Sequence, residues 1–111
     1  MSKSSKIPPA AVERILIQLG RNIRTARLRR RMRLQDLALR VGVSRFLMSD
    51  IEKGKPTIAI AAYIGALWVL GLTDDLGNIA DPDRDLEGKA LENMYAPKTA
   101  PKRKKVLDND F

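Results

Sequence analysis

Three glycines, Gly42, Gly54 and Gly71, divide the middle of this 111-residue chain into short segments whose apolar residues recur every three or four positions. That spacing belongs to helices, and no segment alternates convincingly as a half-buried strand does. "LQDLALRV" (34–41) sets Leu34, Leu37, Ala38 and Val41 on one side, and Gly42 supplies a left-handed residue to end it. Ser44 caps a third helix that Gly54 ends, and Thr57 caps a fourth, "IAIAAYIGALWVL", that stops at Gly71. Upstream, "AAVERILIQLGRNIRTARLRRR" keeps Val12, Ile15, Leu16, Leu19, Ile23 and Leu28 in register as a long amphipathic helix whose first turn holds Pro9. Thr73 and Asp74 open a short fifth helix to about Ala80, and Asp81-Pro82 predicts a sixth near 82–94. The fold class is all-α, with "KVL" (105–107) at most a short edge strand.

Composition narrows the chemistry. The chain has no cysteine and no histidine. Disulfides, thiolate or imidazole metal sites, cysteine nucleophiles and Ser-His dyads are therefore excluded. No catalytic set, metal set, cofactor motif or small-molecule pocket is legible, and an enzyme is not expected. The start, "MSKSSKIPPA", lacks the apolar core of a signal peptide, and no apolar run spans a membrane, so the cytoplasm is the expected location. At 44% hydrophobic the chain supports one small core that dimerisation would help.

Charge is segregated. The net charge is +8, yet residues 1–55 carry 14 Lys/Arg against Glu13, Asp36, Asp50 and Glu52. Residues 72–93 reverse this with seven acids against Arg84 and Lys89. A basic first half points to a polyanion met by that half. The arginines at 21, 24, 27, 29, 30 and 31 are read either as a solvated face near a helix C-terminus or as phosphate contacts. The expected organisation is an arm at 1–8, a helical domain at 9–94 with its core at 13–80, and a flexible basic tail at 95–111.

The stretch "GVSRFLMSDIEKG" (42–54) raises a sharper question. At about 100° per residue, Leu47, Met48 and Ile51 share one side of its helix. Arg45, Phe46, Ser49, Asp50 and Lys53 occupy an opposite arc of about 140°. Phe46 is the one ring on a polar surface. It either meets something outside or packs on a neighbouring helix or subunit. Ala38 allows a close crossing, Gly42 a positive φ, and Met48 and Ile51 an anchor that leaves the opposite face free, which is the spacing of a helix-turn-helix.

With its "LA-x3-GVS-x6-IEKGK" core, the chain resembles the Cro/repressor-type helix-turn-helix family, often called XRE-like, over about residues 13–80. The resemblance implies a five-helix, lambda-repressor-like domain that dimerises and binds double-stranded operator DNA. It implies an internal ion pair between Arg27 and Glu52, and a groove-entering face of Ser44, Arg45, Phe46, Ser49 and Asp50. Arg45 would read guanine, Phe46 would pack on a thymine methyl, and Asp50 would accept from cytosine. Ser44, Arg33, Lys53 and Lys55 would hold phosphates. Leu34 departs from the family's phosphate-binding glutamine, and Arg33 from its Ser/Thr cap. The uncharged fourth helix is expected to form a homodimer through Ile60, Tyr63, Ile64, Leu67 and Trp68.

"LGLTDDLGNIADPDRDLEGKALE" further resembles the HipB-like branch, which implies an autorepressor that also restrains a HipA-like kinase toxin through acids such as Asp74, Asp75, Asp83 and Asp85. A protein- or RNA-binding adaptor is a third reading, supported by the basic tail alone.

Overall fold

The computed structural model describes residues 9–97. The expected arm at 1–8, the basic tail beyond residue 97 and the possible strand at 105–107 lie outside them. Regular structure among the described residues is helical: α1 (Ala10–Arg29), α2 (Leu34–Val41), α3 (Arg45–Glu52), α4 (Ile60–Val69) and α5 (Leu86–Tyr95), with a single 3₁₀ turn at Leu76–Asn78. No described helix is long and apolar enough to cross a membrane. The chain divides after Asp74 into two compact units, the first holding α1–α4 and the second the 3₁₀ turn and α5.

The core of the first unit forms where the four helices turn their small and branched residues inward. Ile23, Leu37, Met48 and Ile51 are fully buried, joined by Ala26, Ala38, Tyr63, Ala66, Leu67 and Leu70. The buried stripe of α1 is narrower than its apolar periodicity suggests, because Val12, Ile15 and Leu28 remain exposed. What α1 buries instead is Gly20, Ile23, Ala26 and Arg27.

Gly20 explains the narrowing. A Cβ there would stand 2.6 Å from the carbonyl oxygens of Ile51 and Glu52, and 2.7 Å from the amide nitrogen of Gly54. The end of α3 therefore lies directly on the backbone of α1. Gly54, at φ +74°, faces the Leu16 carbonyl and the Ile17 backbone from the other side. About two turns further along, Arg27 Nε donates to Glu52 Oε2 at 2.7 Å and Nη2 to Oε1 at 3.0 Å. Its Nη1 donates to the Met32 carbonyl at 2.8 Å. Both side chains are nearly buried, so the two charges survive out of water only because the fork and the carboxylate satisfy each other.

The turn between α2 and α3 follows from local chemistry. Gly42 sits at φ +88° and donates its N–H to the Ala38 carbonyl. Ser44 then caps α3, its Oγ accepting from the Leu47 amide at 3.0 Å. At the start of α2, Arg33 is the capping residue although a guanidinium has no lone pair to accept an amide. Asp36 compensates by accepting from the Arg33 backbone N–H at 3.0 Å and from its side chain at 3.3 Å.

Elsewhere the boundaries shift. Pro9 stands before α1 rather than inside its first turn. Thr57 does not cap α4, which starts at Ile60 after Ala59. The connection from Lys55 is instead held by Tyr63, whose hydroxyl donates to the Lys55 carbonyl at 2.7 Å. The expected fifth helix at 73–80 is only the 3₁₀ turn, since Gly77 and Asn78 within so short a segment disfavour an α-helix. The sixth expected helix is α5 and starts later, because Asp81 Oδ1 accepts from the Asp83 amide and closes a turn there. Asp85 provides the cap, accepting from Gly88 at 2.9 Å, and Tyr95, expected to open the tail, is the last residue of α5.

Replacing Gly20 by alanine places a methyl against three backbone atoms, which cannot swing aside as a side chain could. Alanine's better helix propensity, worth about 1 kcal/mol, works the other way. We expect a net loss of about 1–3 kcal/mol, read as a lowered midpoint in urea or thermal unfolding. An unchanged or raised midpoint would show that α1 and α3 do not cross this closely.

Candidate nucleic-acid interface

The anchored side of α3 determines what its other side can do. Met48 and Ile51 are fully buried and Glu52 is pinned to Arg27, so the helix cannot roll. The opposite arc is left open. Phe46 is 74% exposed, so the ring does not pack on another helix of this chain. Arg45 is exposed beside it, with its guanidinium carbon 5.4 Å from the ring centroid in a cation–π arrangement. Ser49 and Asp50 follow, half-buried.

Ser44 is exposed at the N-terminus of α3. Its oxygen is engaged by the cap, but its hydroxyl proton remains available to donate. The amides of Arg45 and Phe46 open the helix, and the end of a helix that carries partial positive charge suits a phosphate.

The cations around this face differ in how they are held. The Arg33 side chain, 80% exposed, lies 3.3 Å from Asp36. That guanidinium is the main reason the Asp36 carboxyl is held below its ordinary value, with the Arg33 amide adding to it. Lys55 Nζ is 3.5 Å from Asp50 Oδ1, so the acid that would repel phosphates already has a partner. Lys53 is exposed. Tyr63 beneath is held above the usual phenol range by burial, with the Asp50 charge adding to it.

A groove between α2 and α3 is lined by Gln35, Ala38, Leu39, Val43 and Arg45. Gln35, exposed on the first turn of α2, was not singled out in the sequence. The signal was there: an amide one position after Leu34, where the family carries a glutamine. The arginines in and just after α1 separate into roles. Arg27 is internal, Arg30 Nη1 folds back to the Ala26 carbonyl at 2.9 Å, and Arg29 lines a shallow groove with Asn22, Thr25 and Leu72.

The five residues expected at a subunit interface do not share one environment. Tyr63 and Leu67 are 3% and 9% exposed and belong to the chain's own core, where they offer no surface to a second copy. That expectation is corrected: a helix apolar all round has an inner side, and Tyr63 and Leu67 are on it. Ile60, Ile64 and Trp68, spaced four apart, are exposed, Trp68 at 72%.

Phe46→Ala removes an exposed ring and is expected to melt within a few degrees of the parent. Met48→Ala is expected to cost about 2–5 kcal/mol in the same thermal unfolding experiment. A large loss for Phe46→Ala would place the ring in a core.

Residues 18–77 match the family described as a helix-turn-helix domain. No curated protein and no solved structure matches the chain. The match covers more than half of the sequence and spans α2, the Gly42 turn and α3, with the residues that clamp them from α1. The chain belongs to the helix-turn-helix domain family of the Cro/repressor type.

Proposed function

We propose that the protein is a sequence-specific transcriptional repressor that binds a palindromic operator as a homodimer. The observation that carries this reading is the N-terminal end of α3. There an arginine and a phenylalanine stand in solvent at the outer edge of a helix whose other side is immobilised. A major groove admits such a helix, and arginine pairs with guanine O6 and N7 through two N–H groups at once. Ser44 and the α3 N-terminus, with Arg33, Lys53 and Lys55, hold the flanking phosphates and fix the register. Arg33 and Lys55 exchange Asp36 and Asp50 for phosphates on binding, which keeps non-specific attraction below what the number of cations on this face suggests.

Ile60, Ile64 and Trp68 are the surface we assign to the second copy, because an apolar strip ending in tryptophan is costly to leave in water. Two reading helices related by a two-fold axis require half-sites about one helical turn apart. Such a regulator works in the cytoplasm. The acidic segment gives less support to a kinase partner than its charge suggests: Asp81 and Asp85 are engaged by their own backbone turns.

Two outcomes are expected. Arg45→Ala should cost about 1–3 kcal/mol for the preferred site, measured by fluorescence anisotropy, and relax preference at one base position while leaving the melting curve unchanged. A uniform loss across all sequences would make Arg45 a phosphate contact. Trp68→Glu should convert a dimer to a monomer in sedimentation at tens of micromolar, on the order of a moderate Kd. A parent chain already monomeric there would remove the dimer.

A further inference from the structure

Arg45 is held differently from the ion-paired cations around it. Arg27 is held by Glu52, Arg33 by Asp36 and Lys55 by Asp50. Among the described residues no carboxylate is within ion-pair distance of Arg45, and its guanidinium rests on the Phe46 ring instead. A ring orients the cation without neutralising it, and leaves the N–H edge free. Nothing has to be broken before that edge meets a base.

The pair is wide enough to reach beyond a single base pair of DNA. Stacked base pairs rise about 3.4 Å each. The 5.4 Å between the Arg45 guanidinium carbon and the ring centroid is more than one such rise and less than two. With the two side chains lying along the groove and the guanidinium level with a guanine's O6 and N7, the ring reaches toward the adjacent base pair rather than the same one. A bare benzene ring has no hydrogen bond to offer there. The apolar group that a base pair presents in the major groove is the C5 methyl of thymine. Cytosine presents a hydrogen at the same carbon unless it is methylated.

We propose that Arg45 and Phe46 act as one reading unit for a guanine with a 5-methylpyrimidine in the adjacent base pair, so that 5-methylcytosine substitutes for thymine and binding responds to cytosine methylation. This rests on the reading of α3 as the groove-entering helix and goes further by coupling Phe46 to Arg45 and by extending the methyl it detects from thymine to 5-methylcytosine. Phe46 is a specificity residue in this scheme. Its contribution depends on Arg45 being in place, because the arginine fixes the level at which the ring sits.

The test uses the full chain and a duplex recovered from a random-sequence pool. Thymines flanking each guanine of the site are replaced singly by deoxyuridine, then by cytosine and by 5-methylcytosine, with affinities read by anisotropy. At one position per half-site, next to the guanine whose preference Arg45→Ala relaxes, we expect deoxyuridine to weaken binding about fourfold. That is the roughly 0.8 kcal/mol of one buried methyl converted to a ratio. Cytosine should bind more weakly than 5-methylcytosine by a similar factor. Both ratios should fall to one in Phe46→Ala, and the double variant should lose less than the product of the single losses.

Methyl-independent binding by a chain that still prefers its selected site would overturn the proposal and leave the repressor reading intact. A methyl effect that persists in Phe46→Ala would overturn it equally, by assigning the contact to another residue. A pool that yields no preferred site would remove the reading of α3 and this inference with it.

Discussion

The close crossing of α1 and α3 at Gly20 is the contact on which the remaining geometry depends. With no side chain between them, the carbonyls of Ile51 and Glu52 approach the α1 backbone, and Gly54 can turn away at a positive φ against Leu16 and Ile17. Glu52 is thereby brought within reach of Arg27. The crossing and the ion pair fix α3 at its C-terminal end, while Met48 and Ile51 fix one side along its length. A helix of eight residues, too short to be stable alone, is held in one orientation by these contacts. Everything asked of its N-terminal end follows from that.

The electrostatics are arranged around the same helix. Asp50 lies on the outward arc, where a bare carboxylate would oppose DNA, and Lys55 sits beside it. Asp36 plays the same part for Arg33 while also completing the N-terminus of α2. These surface pairs contribute little to stability, since exposed ion pairs are worth about 0–1 kcal/mol. Their effect is on what the surface attracts. Arg45, held by a ring rather than by a charge, keeps its full attraction for an acceptor.

The sequence carried α2, the turn and α3 almost to the residue, because each boundary has a chemical marker: Gly42 for the left-handed turn, Ser44 for the cap, Gly54 for the stop. The inward pair Met48 and Ile51 followed from helical spacing. Gly20 was invisible for a physical reason. Inside a helical pattern a glycine reads as a weak helix former, and only the approach of another backbone gives it a purpose. Tyr63 and Leu67 were assigned outward because an uncharged helix has no polar side to mark which direction is in. The segment after Gly71 misled for a different reason. Its several aspartates all look like caps, and only Asp85 closes a helix N-terminus, while Asp81 closes a turn.

On the proposed function, the outward arc of α3, and no other surface of the first unit, faces the DNA. Amide chemical-shift mapping of the isotope-labelled chain, titrated with a duplex recovered from a random-sequence pool, tests it most directly. The largest changes are expected on Arg33 to Gln35, Ser44 to Asp50 and Lys53 to Lys55. The buried amides of Ile23 and Leu37 should hardly move. Largest changes on the exposed Ile15 and Arg29 side of α1, with the α3 amides unmoved, would contradict it.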